Sequence, residues 1–158
     1  MTKSLVSIAA ALLLAACDSQ LGGSSIAPGM SREEVLARMG QPTRVVALAN
    51  GAQRLQYSSQ PSGPYAWMID LDAAGRVTAS RQVLNERDFN RIVPGEWTRA
   101  DVEREFGPPA GVNAVASWNG PVMTYRWRDS QGASMFFWVY LDPQNVVRRA
   151  HPGMEFRN

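Results

Sequence analysis

Apolar residues along this chain follow two different spacings, and each spacing occurs twice in the same order. Around Val35 and again around Val102, apolar side chains recur every three or four residues, which predicts a short amphipathic helix in each place. Downstream of each helix, apolar and polar residues alternate over segments separated by Asn-Gly pairs and Asp-led turns, as in strands joined by tight turns. The pattern therefore predicts a helix followed by four short strands, and then the same elements again.

The residues at the two predicted helix starts are closely similar, and so are those at the two helix ends. Residues 26–42 and 92–109 share the order Ile, Pro, Gly, a large apolar residue, a hydroxyl residue, an acid and Val, and each segment closes with Gly and Pro. Ser31 and Thr98 each stand three residues before an acid, which is the spacing of a capping box. Two matched segments of this length predict two copies of one structural unit.

Alternation within the strands assigns side chains to the two faces of the predicted sheet. In the second copy we expect strands at 115–118, 122–128 and 134–141, and a fourth from Val146 onward. One face of these strands is apolar and forms the predicted core under the helix. The opposite face carries aromatic and basic residues, namely Arg126, Arg128, Phe136, Trp138 and Tyr140. The corresponding positions of the first copy hold Ala66, Met68 and Asp70. The copies therefore share a core pattern and differ on the other face.

These elements predict an α+β fold made of two tandem helix-plus-antiparallel-meander repeats. We expect the repeats to share one sheet, with the helices on one face. Repeat 1 spans residues 26–84, and repeat 2 spans residues 85–158, including the linker between the copies and a C-terminal tail. The chain has 158 residues and 45% hydrophobic content, which is enough to bury a core and excludes wholesale disorder.

The N-terminus predicts export and lipid attachment. Residues 1–16 combine Lys3 with an apolar run that is shorter than the roughly 20 residues of a bilayer-spanning helix, and so predict a signal peptide. Small residues then lead into Cys17, which resembles the lipobox of bacterial lipoproteins, where the cysteine thiol is acylated. Cys17 is the only cysteine, which excludes an intrachain disulfide. Residues 17–25 are small and polar and predict a flexible tether.

Charge and composition exclude several classes of partner and site. The net charge is only +2 and no basic run occurs, so we expect no nucleic-acid partner. The chain has one histidine, His151, and one cysteine, too few for the usual zinc site. No nucleophile-elbow motif accompanies His151, and Glu33 and Glu34 occupy a first helical turn, where acids favour the helix dipole. We therefore expect a non-catalytic protein with no cofactor and no metal.

The aromatic and basic face of the second copy is the candidate partner-binding site. Aromatic residues and arginines anchor protein interfaces. Phe136, Trp138 and Tyr140, with Arg126 and Arg128 beside them, would form a flat platform that can stack on an acidic partner and pair with it. Two alternatives stay open, because this face can be covered by another segment of the chain or can form a second small core. The exposure of Trp138 distinguishes these cases.

Residues 26–42, followed by an Asn-Gly hairpin and a strand that ends at Tyr57, resemble the BamE (SmpA/OmlA) lipoprotein family. The resemblance covers residues 26–83 and, as a second copy, 92–150. A duplicated unit of this kind also resembles the β-lactamase inhibitor protein fold, in which two repeats form one continuous sheet with helices on one side. The resemblance implies a periplasm-facing protein, held on the membrane by its N-terminal lipid, that contacts an envelope protein such as the outer-membrane barrel assembly complex.

The location and the partner are each open to two or more interpretations. The BamE resemblance implies the outer membrane, whereas Asp18 resembles the signal that retains enterobacterial lipoproteins in the inner membrane. The aromatic face is also compatible with a binder of a periplasmic enzyme, in the manner of the β-lactamase inhibitor protein. A third hypothesis is a lipoprotein that binds a small ligand or cell-wall fragment between the repeats. A deep apolar pocket would favour the ligand, and a flat open sheet would favour a protein partner.

Overall fold

Residues 22–155, the part of the chain that the computed structural model describes, form a mixed fold of helices and antiparallel strands. In chain order the elements are α1 Arg32–Met39, β1 Arg44–Ala47, β2 Gln53–Ser58, β3 Ala66–Leu71, β4 Val77–Gln82, α2 Glu86–Phe89, α3 Arg99–Phe106, β5 Gly111–Ala114, β6 Pro121–Arg128, β7 Ser134–Leu141 and β8 Val147–Met154. Two 3-10 helices, Gly22–Ser25 and Ala49–Gly51, precede α1 and connect β1 to β2.

The structure confirms the predicted repeat of a helix followed by a four-stranded meander. Strands β1 to β4 pair in chain order, and β5 to β8 do the same. One tyrosine of each meander holds the end of its own helix: Tyr57 donates to the Gly40 carbonyl at 3.0 Å and Tyr125 to the Gly107 carbonyl at 2.8 Å. Both glycines have positive φ, 76° and 79°, a conformation that glycine adopts without steric cost.

Both predicted capping boxes are also present. The Ser31 hydroxyl accepts from the backbone N–H of Glu34, whose carboxylate accepts from the Ser31 N–H at 2.7 Å. Thr98 and Asp101 make the same pair of bonds at the start of α3. These bonds satisfy backbone N–H groups that a helix start leaves without partners. Each helix is only eight residues long and depends on packing for its stability.

The prediction of one shared sheet with the helices on one face is wrong. The strands form two separate four-stranded sheets, and the two long helices lie on opposite faces of the first sheet. Val35 of α1 packs with Leu55 and Ile69 on one face. On the other face, Met68 belongs to the same apolar cluster as Phe106 of α3. The order of layers is therefore α1, first sheet, α3, second sheet.

Side chains of the first sheet explain why α3 separates the two sheets. Ala66 and Met68 are fully buried, although they lie on the face that is predicted to be the outer one. From the same face, Gln56 donates to the carbonyls of Glu103 and Arg104 at 2.9 and 3.0 Å. The Glu103 carbonyl also accepts from the Gly107 N–H at 2.9 Å, whereas the Arg104 carbonyl is one of the last carbonyls of the helix, which lack an intrahelical partner. The first sheet thus binds the end of α3 on its second face.

The first strand of the second meander lies earlier than predicted. Strand β5 is Gly111–Ala114, and the expected strand at 115–118 is part of the connection to β6. The Trp118 indole donates to the Leu141 carbonyl at 2.7 Å, and its ring meets Tyr140 edge-on at 5.3 Å. Because these contacts draw Trp118 onto the sheet face, its segment leaves the strand ladder.

The N-terminal part of the described chain is docked on the first repeat. Within Gly22–Ser25, the Gly23 carbonyl accepts from the Ser80 hydroxyl at 2.8 Å, and the Ser25 carbonyl accepts from Arg38 at 3.0 Å. Gly23 lies against the Trp67 ring. The end of the predicted flexible tether, residues 17–25, is therefore a structured turn. The predicted signal peptide, Cys17 and Asp18 lie outside the described residues. Among residues 22–155, no helix has the length and apolar character needed to cross a membrane.

Candidate protein-interaction surface

The two repeats differ most on one face of their third strands. Phe136, Trp138 and Tyr140 of β7 point away from α3 and are half-buried, while Phe137 and Val139 between them are buried in the core. The matching face of β3 carries Ala66 and Met68, and α3 packs against them. Trp138 is not enclosed, so this face of β7 is not a closed second core. The half-buried rings are compatible with the predicted platform.

The side chains on this face form one continuous row of rings, which we call the aromatic face. Its members are Phe136, Trp138, His151, Tyr140 and Trp118, in spatial order along the row. The ring centroids of Phe136 and Trp138 are 5.7 Å apart, and those of Trp138 and His151 are 5.5 Å apart. His151 stacks on Tyr140 at 5.4 Å, and Tyr140 meets Trp118 at 5.3 Å. These separations are typical of aromatic pairs.

Strand pairing explains why these rings lie in one row. Residues two apart on a strand share a face, which aligns Phe136, Trp138 and Tyr140 along β7. Across the β7–β8 pair, Trp138 is opposite His151 and Tyr140 is opposite Arg149. The same register places Gly153 opposite Phe136, where a Cβ atom would collide with the Trp138 ring. The glycine therefore leaves room for the tryptophan to lie flat over β8.

Arg126, predicted as a partner-binding residue, lies at the Phe136 end of the aromatic face. Its guanidinium is 5.5 Å from the Phe136 ring centroid and 3.3 Å from the Glu155 carboxylate. The amide of Gln60 binds the Arg126 backbone at both its N–H and its carbonyl, at 3.1 and 2.7 Å. Arg126 is thus held from two sides and already has a carboxylate partner.

Arg128, the second predicted cation, does not belong to the aromatic face. Its guanidinium donates to the Gly132 carbonyl at 2.9 Å, across the turn between β6 and β7. Within residues 22–155 it stacks on no ring. The alternation that placed Arg128 on this face is correct for the backbone, but the side chain is directed to the hairpin turn.

Three contributors to the site were missed by sequence reasoning: Trp118, Arg149 and His151. Arg149 lies over Tyr140 at 3.9 Å and over Trp118 at 5.4 Å. A pattern in the sequence could have predicted Arg149 and His151: they are two residues apart, so they share one face of a strand that runs to Met154. The sequence singles out His151 only when catalytic and zinc sites are considered, and not as part of this face. The structure places it in β8, between two rings.

The chemistry available at this surface is stacking and charge pairing. The part of the chain that the structure describes holds no group of three or more His, Cys, Asp or Glu residues placed to bind a metal. A cleft of about 360 Å³ lies elsewhere, beside the first turn of α3, and is lined by Thr98, Arg99, Ala100, Glu103 and Asn145. Its arginine is paired with its glutamate at 2.8 Å. This cleft is within the second repeat, and the aromatic face is a separate surface.

No family model matches this chain, and no curated protein matches it. Among solved structures, the DUF4309 family protein YjgB from Bacillus subtilis is similar over 79% of this chain and 78% of its own, with 14% identity and a TM-score of 0.31. An extracellular protein containing an SCP domain, from Bacillus anthracis, is similar over 99% of this chain and 56% of its own, with 11% identity and a TM-score of 0.31.

Proposed function

We propose that this protein is a lipid-anchored, non-catalytic component of a bacterial envelope that binds another protein through its aromatic face. The observation that carries the proposal is the difference between the repeats. The β3 face is closed by α3, whereas the matching β7 face presents half-buried rings. Interfaces are enriched in tryptophan, tyrosine and arginine, which supply large contact areas at low entropic cost. Trp138 lies inside the row and is the expected anchor.

The layered fold supports a presentation of this face away from the anchoring membrane. Acylation at Cys17 would leave residues 17–21 between the lipid and the docked Gly22–Ser25 segment. Five residues span at most about 18 Å, so the first repeat would lie close to the bilayer. Gly22–Ser25 is on the α1 side of the first sheet, where Gly23 contacts Trp67. The aromatic face is on the outer side of the second sheet, beyond α3. A partner would approach it from the opposite side of the layers.

The BamE resemblance makes the outer-membrane barrel assembly complex the first partner to test. The tagged, lipidated protein would be recovered from membranes in mild detergent, beside Trp138→Ala and the control Val45→Ala. Val45 is an exposed apolar residue, 43% accessible, on an edge strand of the first sheet. We expect assembly components with the wild type and the control, and loss of at least about tenfold with Trp138→Ala, since a central aromatic anchor contributes about 2 kcal/mol.

Two other results would change this proposal. Recovery of a periplasmic enzyme in place of assembly components, with the same dependence on Trp138, would make the protein an enzyme binder in the manner of the β-lactamase inhibitor protein. Equal recovery of partners by wild type and Trp138→Ala would contradict the aromatic face as the contact surface. Thermal unfolding of each variant, followed by circular dichroism, would establish that the Trp138 effect is not a loss of fold.

A further inference from the structure

Arg149 differs from the other arginines of residues 22–155 in its contacts. Each of the others has a hydrogen bond or an ion pair, as Arg148 has with Asp142 at 2.8 Å. Arg149 is exposed, and within residues 22–155 its guanidinium lies over the rings of Tyr140 and Trp118 without a hydrogen bond or ion pair. Trp118 is itself fixed by its bond to the Leu141 carbonyl. The described part of the molecule therefore contains a positioned guanidinium without an anion beside it.

The N–H groups of Arg149 are available, because the guanidinium carbon lies 3.9 Å from the Tyr140 centroid and no N–H of this side chain has a hydrogen bond or ion pair within residues 22–155. A guanidinium that lies over a ring uses its flat face for that contact, and its N–H groups point outward in the plane. Two parallel N–H groups of this kind match the two oxygens of a carboxylate. Restriction by the rings also lowers the rotamer entropy that the arginine loses on binding. At the Trp118 end of the aromatic face, the N–H groups of Arg149 can therefore bind the two oxygens of a carboxylate.

The other end of the same face shows such a pairing inside the molecule. Arg126 lies over Phe136 at 5.5 Å and pairs with the Glu155 carboxylate at 3.3 Å. Arg149 lies over Tyr140 at the shorter distance of 3.9 Å, and no carboxylate of the described residues pairs with it. Each end therefore has an arginine over an aromatic ring, and within residues 22–155 only the Phe136 end has an anion paired with its arginine. The carboxylate of a partner would complete the other end.

We propose that Arg149 binds an aspartate or glutamate of the partner protein, while Trp138 binds an apolar or aromatic side chain of the same segment. This inference rests on the proposed function of the aromatic face. Tyr140, which carries Arg149, and Trp138 are two residues apart on β7, so their side chains stand about 7 Å apart. An extended partner segment has the same spacing between alternate residues. The partner motif is therefore an acidic residue and an apolar residue two positions apart.

The test uses two acetylated peptides. In the first, serines separate a glutamate from a phenylalanine, so that the glutamate and the phenylalanine are two positions apart. In the second peptide, glutamine replaces the glutamate. Indole N–H signals of Trp118 and Trp138 would be followed by nuclear magnetic resonance on the folded protein. The variants are Arg149→Gln and the matched control Arg148→Gln, a neighbour that removes the same charge from the position paired with Asp142.

We expect wild type and Arg148→Gln to bind the glutamate peptide about fivefold tighter than the glutamine peptide, which is about 1 kcal/mol for a bidentate arginine–carboxylate pair. Added salt should reduce this preference, and Arg149→Gln should abolish it. Equal binding of the two peptides to wild type, or no shift of either indole signal, would overturn the proposal. So would binding to phosphatidylglycerol vesicles that requires Arg149 without any peptide preference, since the anion would then be lipid.

The membrane recovery experiment separates this inference from the proposed function. If Arg149→Gln recovers the partner as well as wild type does while Trp138→Ala loses it, the aromatic face is the contact surface but carboxylate recognition by Arg149 is wrong. If neither variant affects recovery, the proposed contact surface itself is wrong. Partial loss with Arg149→Gln and near-complete loss with Trp138→Ala is the result that supports both.

Discussion

Thr98 and Asp101 show how single side chains fix the start of a short helix. The Thr98 hydroxyl donates to the Asp101 carboxylate at 2.7 Å and accepts from the Asp101 N–H at 3.3 Å. The Thr98 N–H donates to the same carboxylate at 2.8 Å. Donation from the hydroxyl and the backbone N–H of Thr98 lowers the pKa of Asp101 below its usual value. The cap is therefore coupled to the charge of one acid.

Replacing Thr98 by alanine should lower the free energy of unfolding by about 1 kcal/mol at neutral pH. Because the Asp101 pKa is lower in the folded state, its stabilising effect is present above its unfolded pKa of about 3.9 and is lost as pH falls through the folded value. The difference between wild type and Thr98→Ala should therefore narrow in acid. Urea unfolding near pH 7 and near pH 3 measures it, and Thr98→Ser should behave as wild type. A difference independent of pH would contradict this coupling.

At the residue scale, sequence patterns predicted the caps and the β6 and β7 faces, and they failed in β8. The sequence predicts a fourth strand from Val146 onward but assigns no residues of it to the aromatic face, so Arg149 and His151 were missed. Pro152 and Gly153 are residues that strand interiors usually exclude. In an edge strand, however, a proline can sit where its missing N–H faces solvent. Gly153 is required under the Trp138 ring. Both residues are explained by tertiary contacts that local sequence does not contain.

Among the elements, α3 has the position that the sequence could not predict. Its buried residues, Val102 and Phe106, form the same kind of apolar stripe as Val35 of α1. The stripe predicts a docked helix but does not say which sheet face receives it. That choice depends on Gln56 and Met68, which are far from α3 in the sequence. Neither residue belongs to a motif that would mark it as a contact of a helix. The expected single sheet failed for this reason. The order of helix and four strands was predicted correctly in each repeat, apart from the position of β5.

A buried arginine joins the first sheet to α3 and provides a test of this packing. Arg54 is 6% exposed and makes two bonds to Asp70, at 2.6 and 2.9 Å. It also pairs with Glu105 at 3.2 Å and donates to the Arg104 carbonyl at 3.1 Å. Arg54→Met should cost about 3 kcal/mol of unfolding free energy, because it leaves two carboxylates without their buried partner.

Arg44→Met is the matched control for that substitution. Arg44 pairs with Glu103 of the same helix at 3.0 Å, but its side chain is 45% exposed. Solvent and salt screen such a pair, so its removal should cost less than about 1 kcal/mol. Denaturant unfolding of both variants in the same buffer gives the comparison. Equal costs would show that the buried Arg54 network holds α3 on the first sheet no more strongly than an exposed ion pair does.

At the scale of the whole molecule, one apolar cluster connects the two repeats. It contains Met68 of the first sheet together with Phe106, Tyr125 and Phe137. Phe89 of α2 stacks on Phe137 with centroids 3.9 Å apart and lies 5.1 Å from Phe106. The repeats look like separate units in sequence, because each has its own helix and meander. The shared cluster indicates instead that they unfold together, as single domains of this size usually do.

Native-state hydrogen exchange of two core variants tests this unity. Phe106 lies in the shared cluster, and Phe106→Ala should lower the free energy of unfolding by about 4 kcal/mol. Val35 lies in the cluster under α1, and Val35→Ala should lower the free energy of unfolding by about 2 kcal/mol. If the repeats form one cooperative unit, the slowest amides of β3 and β7 have the same opening free energy, and each substitution lowers both by the same amount. If Val35→Ala lowers protection only in β3, the repeats unfold independently. The second repeat, which carries the aromatic face, would then be stable without the first repeat.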